Sequence, residues 1–165
     1  MLSLSGTDTL TGLPNRRVFE AHIEQELSRS RRHELSFSLI YLDLDHFKAF
    51  NSKWGHDIGD KVLKLTARAM NANKRTEDII ARWGGEEFIG LFPNSKKKDI
   101  LHLTERLAQT LRKDSISSDK QKIITFSAGI AEYPTDGEDA ITLIQVADGR
   151  MRKAKENGRN QIIIE

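Results

Sequence analysis

IIARWGGEEFIGLF, residues 79–92, decides how the rest of the chain is read. Two apolar runs flank Gly84-Gly85, and two glutamates, Glu86 and Glu87, follow at once. The pattern predicts a hairpin with strands DIIARW and EEFIGLF, its glycines taking the positive φ of a tight turn. A hairpin tip is where polar groups leave the core and meet solvent. Adjacent carboxylates there suit either a solvated acidic turn or a metal site.

Outward from the hairpin, SFSLIYLDLD (36–45) mixes aromatic and β-branched residues over a strand's length and stops at Asp43 and Asp45. If this strand pairs beside the hairpin, three or four carboxylates converge. Carboxylates that close repel one another and are partly protonated unless a cation holds them. Mg²⁺ takes one or two carboxylates plus substrate phosphate oxygens. That is the layout of two-metal phosphoryl or nucleotidyl transfer, with ions ~4 Å apart.

The remaining elements alternate. Pro14 stands where a helix could begin, and VFEAHIEQELSRSRR repeats apolar residues at Phe19, Ile23 and Leu27. GDKVLKLTARAM is amphipathic, with Val62, Leu65 and Ala69 on one face. Ser95 is placed to cap the helix KKKDILHLTERLAQTLRK. KIITFSAGIAEY reads as a strand, DAITLIQVADGRMRKAKENG as a helix ending at Gly158, and QIIIE as a last strand. The expectation is an α/β (α+β) domain: a central mixed, largely antiparallel five-stranded sheet flanked by helices.

Composition bounds the chemistry. The chain has 165 residues, one domain's worth, with 30% charged and 38% hydrophobic residues. A net charge of +2 gives no argument for a nucleic-acid partner. The absence of cysteine excludes disulfides and thiol catalysis and fits a reducing compartment. No apolar run approaches the ~20 residues of a membrane span, and the N-terminus lacks a signal peptide's apolar core. No Walker loop, zinc-ligand pattern or nucleophile elbow is present. The expectation is one cytoplasmic domain over 1–165 with no membrane contact of its own, a fragment of a longer regulated protein that could be membrane-anchored.

RWGGEEF (82–88) resembles the signature of GGDEF domains, the diguanylate cyclases, with Glu86 where Asp is common. DTLTGLPNRRVF (8–19) resembles that family's opening segment, DLDHFKAFNSKWGHDIGDKVL (43–63) its central one and AKENGRNQI (154–162) its closing one. The four segments stand in the family's order and cover nearly the whole chain. The resemblance implies a fold like the nucleotidyl cyclases and the polymerase palm. It also implies condensation of two GTP into cyclic di-GMP with release of two pyrophosphates. Mg²⁺ or Mn²⁺ would serve as cofactor, two ions per active site, and a homodimer would bring two GTP half-sites face to face.

Roles carry over by position as implications of the resemblance. Asp43 and Glu87 would hold the metals with the backbone carbonyl of Leu44. Glu86 would add to that site and deprotonate the attacking 3′-hydroxyl. Backbone amides of DHF (45–47), hence His46 and Phe47, would meet the phosphates. Lys48, Lys155 and Arg159 would supply positive charge around the triphosphate, and Asn51 and Asp60 would read guanine. RTED (75–78) stands five residues before the GGEEF run and resembles the RxxD inhibitory motif. Arg75 and Asp78 would there bind the product, and Arg106 sits where some relatives place a further arginine of that site.

The chain departs from the pattern in three places. Ser52 follows Asn51 where Asp is usual, and Trp83 stands where Tyr is usual. ADGRMRKAK (147–155) carries Arg150, Met151 and Arg152 where small, apolar and aromatic residues are usual, and places Gly149 mid-helix. An interior glycine costs ~1 kcal/mol of helix stability, so the presentation of Lys155 and Arg159 is where an effect is expected. Two other readings stay open: a non-catalytic module that binds GTP or cyclic di-GMP, and another nucleotidyl cyclase or polymerase-like transferase with the same metal logic.

Overall fold

The computed structural model describes residues 6–113 and 124–165. Its elements run α1 (Arg16–His33), β1 (Phe37–Leu44), α2 (Phe47–Trp54), α3 (His56–Ala72), β2 (Ile79–Arg82), β3 (Glu87–Pro93), α4 (Lys97–Lys113), β4 (Phe126–Tyr133), α5 (Ala140–Glu156) and β5 (Ile162–Ile163). The five strands form one sheet in the order β2-β3-β1-β4-β5. All pairings are antiparallel except β4 with β5. The expected mixed, largely antiparallel sheet is therefore present. Lys122 and Ile123, which open the predicted strand KIITFSAGIAEY, lie outside the described residues.

Helices cover both faces, which is why every residue of β1 and β4 is buried. One core packs Leu42, Phe88, Phe126 and Ile130 against α2, α3 and α4. The other packs Leu39, Tyr41, Ile89 and Ala131 against Phe19, Ile23 and Leu27 of α1 and Leu143, Ala147 and Met151 of α5. Alternation along β1 and β3 thus sends Tyr41, Asp43, Glu87 and Ile89 to the α1/α5 face.

Several local expectations are corrected. Pro14 does not open α1; Asn15 caps it, its side chain accepting from Val18 N at 3.1 Å. Ser95 makes no capping bond among the described residues: its hydroxyl donates to the Pro93 carbonyl and accepts from Arg75. The first turn of α4 is held instead by Glu132, which accepts from Lys97 N at 2.8 Å. Gly84 and Gly85 do not have positive φ. Gly84 is needed for space, because a Cβ there would stand 2.5 Å from Glu87 Oε1.

Helix α5 approaches β4 so closely that a Cβ on Gly129 would collide with the Ala147 carbonyl. Gly149 faces solvent and Met151 is buried, so neither opens that interface. Arg150 strengthens it: its guanidinium grips Asp136 with two 2.9 Å bonds and donates to the Ile130 carbonyl at 2.6 Å.

Candidate active site

The pairing of β1 with β3 sets Asp43 directly opposite Glu87. Leu44 N donates to the Glu86 carbonyl at 3.2 Å, fixing the turn beside the strand end. The Lys155 ammonium, brought in by α5, lies 2.8 Å from Asp43 Oδ1 and 3.6 Å from Asp45 Oδ1. Burial, with Glu87 and Asp45 adding repulsion, raises the Asp43 pKa above the ordinary carboxylate value even against Lys155. Burial also raises that of Glu86, with the charges of Asp43 and Glu87 adding to it.

Asp45 does not join this group as a free carboxylate. It accepts from Thr125 Oγ1 at 2.7 Å, Ser127 Oγ at 2.6 Å and Asn160 N at 3.0 Å. It therefore locks the end of β1 to β4 and to the closing segment. Three carboxylates, Asp43, Glu87 and Glu86, therefore lie within electrostatic reach of one another, though among the described residues no group of three or more Asp, Glu, His or Cys side chains is gathered as a metal cage. A pair of hard oxygen donors still fits Mg²⁺, which draws its other ligands from substrate phosphates and water.

The segment expected to meet the phosphates is partly rearranged from expectation. The Asp45 amide is already donated to Thr125 O at 2.8 Å, so it is not available to a phosphate. His46, in left-handed conformation at φ 54°, turns the chain into α2. That leaves the first-turn amides of Phe47 and Lys48 at a helix N-terminus, where N–H groups lack intrahelical partners. The side chains of His46 and Lys48 are exposed. Helix α2 itself was not anticipated, because FKAFNSKW offers only one turn of apolar spacing and no capping side chain.

Asn51 lies at the α2–α3 junction, its Oδ1 buried and without a hydrogen-bond partner among the described residues. It rests on Gly59, where any Cβ would collide with it. Asp60, one residue on, is exposed. Arg159 follows α5 at φ 65°, its Nε buried and likewise unpartnered. Ser52 is exposed and donates to the Lys48 carbonyl at 3.1 Å, a local helix bond that leaves Asn51 in place.

Two residues of this region, Tyr41 and Arg82, were not singled out in the sequence. Tyr41 donates its hydroxyl to Glu87 Oε2 at 2.6 Å, and burial beside Glu87 raises its pKa. Arg82 donates to the carbonyls of Gly84 and Gly85 at 3.2 and 2.7 Å and pairs with Asp8 at 3.3 Å. Period-two spacing from Asp43 was the signal that could have found Tyr41. Trp83 packs edge-on to Phe19 and Tyr41 under the Arg16 guanidinium, so the exchange for Tyr keeps an aromatic contact.

The second cluster is compact. Arg75 donates to Asp78 through its backbone N at 2.8 Å and its guanidinium at 2.9 Å. The same guanidinium reaches Pro93 O at 2.6 Å and Ser95 Oγ at 3.0 Å. Arg75 is half-exposed, whereas the Asp78 side chain is 1% exposed. Arg106 is exposed on α4, and among the described residues no hydrogen bond or ion pair joins it to either.

No helix among the described residues is long and apolar enough to cross a membrane. Over 160 residues the chain is 38% identical to the bifunctional diguanylate cyclase/cyclic di-GMP phosphodiesterase MucR of Pseudomonas aeruginosa, covering 97% of this chain and 23% of that protein. It is 39% identical to diguanylate cyclase DgcP of the same organism, covering 94% of this chain and again 23% of the relative. The chain thus spans about a quarter of the length of these two curated relatives. Among solved structures, diguanylate cyclase SiaD of P. aeruginosa, in complex with its activator SiaC, superposes with a TM-score of 0.89 at 37% identity, over 98% of this chain and 62% of that one. The coiled coil and GGDEF domain of DgcB from Caulobacter crescentus, in complex with c-di-GMP, gives 0.88 at 28% identity, over 98% and 86%. The family model described as diguanylate cyclase, GGDEF domain, matches residues 5–161, and the chain belongs to that family.

Proposed function

We propose that this domain is an active diguanylate cyclase that condenses two GTP into cyclic di-GMP. The observation that carries the reading is the Asp43–Glu87 register pair at the end of two central strands, with Lys155 against it. Asp43 and Glu87, with the Leu44 carbonyl, would hold Mg²⁺ or Mn²⁺, two per site. Bound there, the ions supply Lewis-acid stabilisation of the developing phosphate charge.

The chain's own residues do the rest. The amides of Phe47 and Lys48 and the cations of Lys48, Lys155 and Arg159 receive the triphosphate. His46 sets their direction by turning the chain. Asn51 and Asp60 meet the guanine edge. Asp60 accepts from N1–H and N2–H₂; adenine presents neither, and a site built on such pairing rejects it strongly. Glu86 takes the proton of the 3′-hydroxyl. The new bond joins that oxygen to the α-phosphorus of the other GTP, and the bond to pyrophosphate breaks. Two such transfers close the ring. One domain holds one GTP, so the two half-sites meet in a two-fold homodimer.

Product feedback belongs to the same reading. The half-exposed Arg75 offers a fork to the phosphates or guanines of cyclic di-GMP. Asp78 reaches a guanine only when Arg75 swings away, and Arg106 adds charge from α4. A module that binds cyclic di-GMP without making it is the second reading, favoured only by this cluster.

The test is incubation with GTP and Mg²⁺, nucleotides resolved by chromatography and mass, beside Glu87→Ala and beside ATP. Cyclic di-GMP from the parent alone, with none from ATP, is expected. Binding of cyclic di-GMP without synthesis, at high protein concentration, would move the assignment to the binding module.

A further inference from the structure

The Glu87 carboxylate is held at one oxygen by a side chain outside the family signature's acidic pair. Oε2 accepts the Tyr41 hydroxyl at 2.6 Å. Oε1 occupies the room left by the missing side chain of Gly84. Tyr41 is itself immobilised: it is 6% exposed and packs edge-on against Trp83. Trp83 in turn packs edge-on against Phe19 of α1. A phenol fixed in this way is a rigid donor, and a bond to a charged carboxylate is among the strong ones. Tyr41 is not needed for the fold through that hydroxyl, since its ring contacts are those a phenylalanine would make.

We propose that Tyr41 is a positioning residue for Glu87, engaging Oε2 so that the carboxylate offers a cation Oε1 alone. The inference rests on Glu87 being a metal-holding residue. A carboxylate restricted to one oxygen suits Mg²⁺ and Mn²⁺. Ca²⁺ accepts carboxylates through both oxygens and tolerates irregular geometry. Tyr41 therefore sets which cation the site prefers as well as how tightly it binds. Partners that orient a ligand from behind characteristically change metal affinity by roughly 10- to 100-fold when removed.

The experiment measures ion binding without turnover. Mn²⁺ is titrated against the parent, Tyr41→Phe and Glu87→Ala by the electron paramagnetic resonance of free Mn²⁺. Each titration contains a GTP analogue with a methylene bridge between the α and β phosphorus atoms, which cannot release pyrophosphate. Mg²⁺ and Ca²⁺ are then competed against bound Mn²⁺. Tyr41→Phe is expected to keep the parent's melting temperature, to weaken Mn²⁺ and Mg²⁺ by roughly tenfold or more, and to weaken Ca²⁺ much less. Unchanged Mn²⁺ affinity overturns the proposal. Equal weakening of all three ions overturns the one-oxygen assignment and leaves only general support of the site. If Glu87→Ala binds Mn²⁺ like the parent, the metal role of Glu87 falls, and the role of Tyr41 falls with it. Loss in Glu87→Ala with no change in Tyr41→Phe removes Tyr41 alone.

Discussion

Burial, with repulsion from neighbouring carboxylates, holds the Asp43 and Glu86 carboxyls above their ordinary values of 3.8 and 4.5. The folded chain therefore keeps these protons to higher pH than the unfolded chain does. Their contribution to stability is full below the ordinary values and is lost as pH rises through the raised ones. Without divalent ions, the parent should lose melting temperature relative to Asp43→Asn as pH rises from the ordinary value of 3.8 through the raised one; melting curves that stay parallel over that rise would contradict it. A second residue-scale effect belongs to Gly59. Alanine is the better helix former, by about 1 kcal/mol, yet its Cβ would displace Asn51. Gly59→Ala should keep or raise thermal stability while raising KM for GTP roughly 10- to 100-fold, with kcat less affected. At this scale the sequence disclosed Asp43 and Glu87, because a strand end and a hairpin tip are readable from pattern. It could not separate Asp45 from Asp43, since only the partners Thr125, Ser127 and Asn160, at least 80 residues away, turn Asp45 into a structural tie.

At the scale of elements, the position of Lys155 depends on how α5 lies against β4. Gly129 lets the helix down onto the strand, and Arg150 fastens it to Asp136 and Ile130. Both side chains of that pair are largely buried, at 15% and 12% exposed. Removing Arg150 leaves the Asp136 carboxylate with the Glu132 N–H at 2.9 Å and Lys97 at 3.7 Å. Arg150→Ala should cost about 2–3 kcal/mol, or roughly 4–12 °C of melting temperature for a domain of this size, and Arg150→Lys should recover only part. A variant melting with the parent would show that ring and backbone packing alone seat α5. The strands, α1, α3, α4 and α5 were legible because their apolar spacing is regular. Helix α2 was not, because its direction comes from the left-handed His46 rather than from a cap. The start of α4 was misread for a related reason: the group that satisfies it, Glu132, arrives from a strand 35 residues later, and Ser95 is drawn away by Arg75 and Pro93.

For the whole molecule, the decisive quantity is how many copies complete a site. Among the described residues Asp43, Glu87 and Lys155 converge once, and Asn51, with Gly59 beneath it, gives the proposed guanine contact one place. Among the described residues this arrangement is not repeated, so on the proposed reading the second GTP comes on a second copy. Holding two reactants in attack geometry replaces a bimolecular encounter by an effectively intramolecular one. That gain exists only while the two copies are together. Specific activity of the isolated domain should therefore fall as protein is diluted, with the rate rising more steeply than first order at low concentration and becoming linear once dimers saturate. The check is initial rate over roughly a 100-fold dilution series at fixed GTP and Mg²⁺, with sedimentation at matching concentrations. A specific activity that stays constant while sedimentation reports monomers would mean that one chain binds both nucleotides. In that case the antiparallel two-copy geometry would be wrong even if cyclic di-GMP is the product.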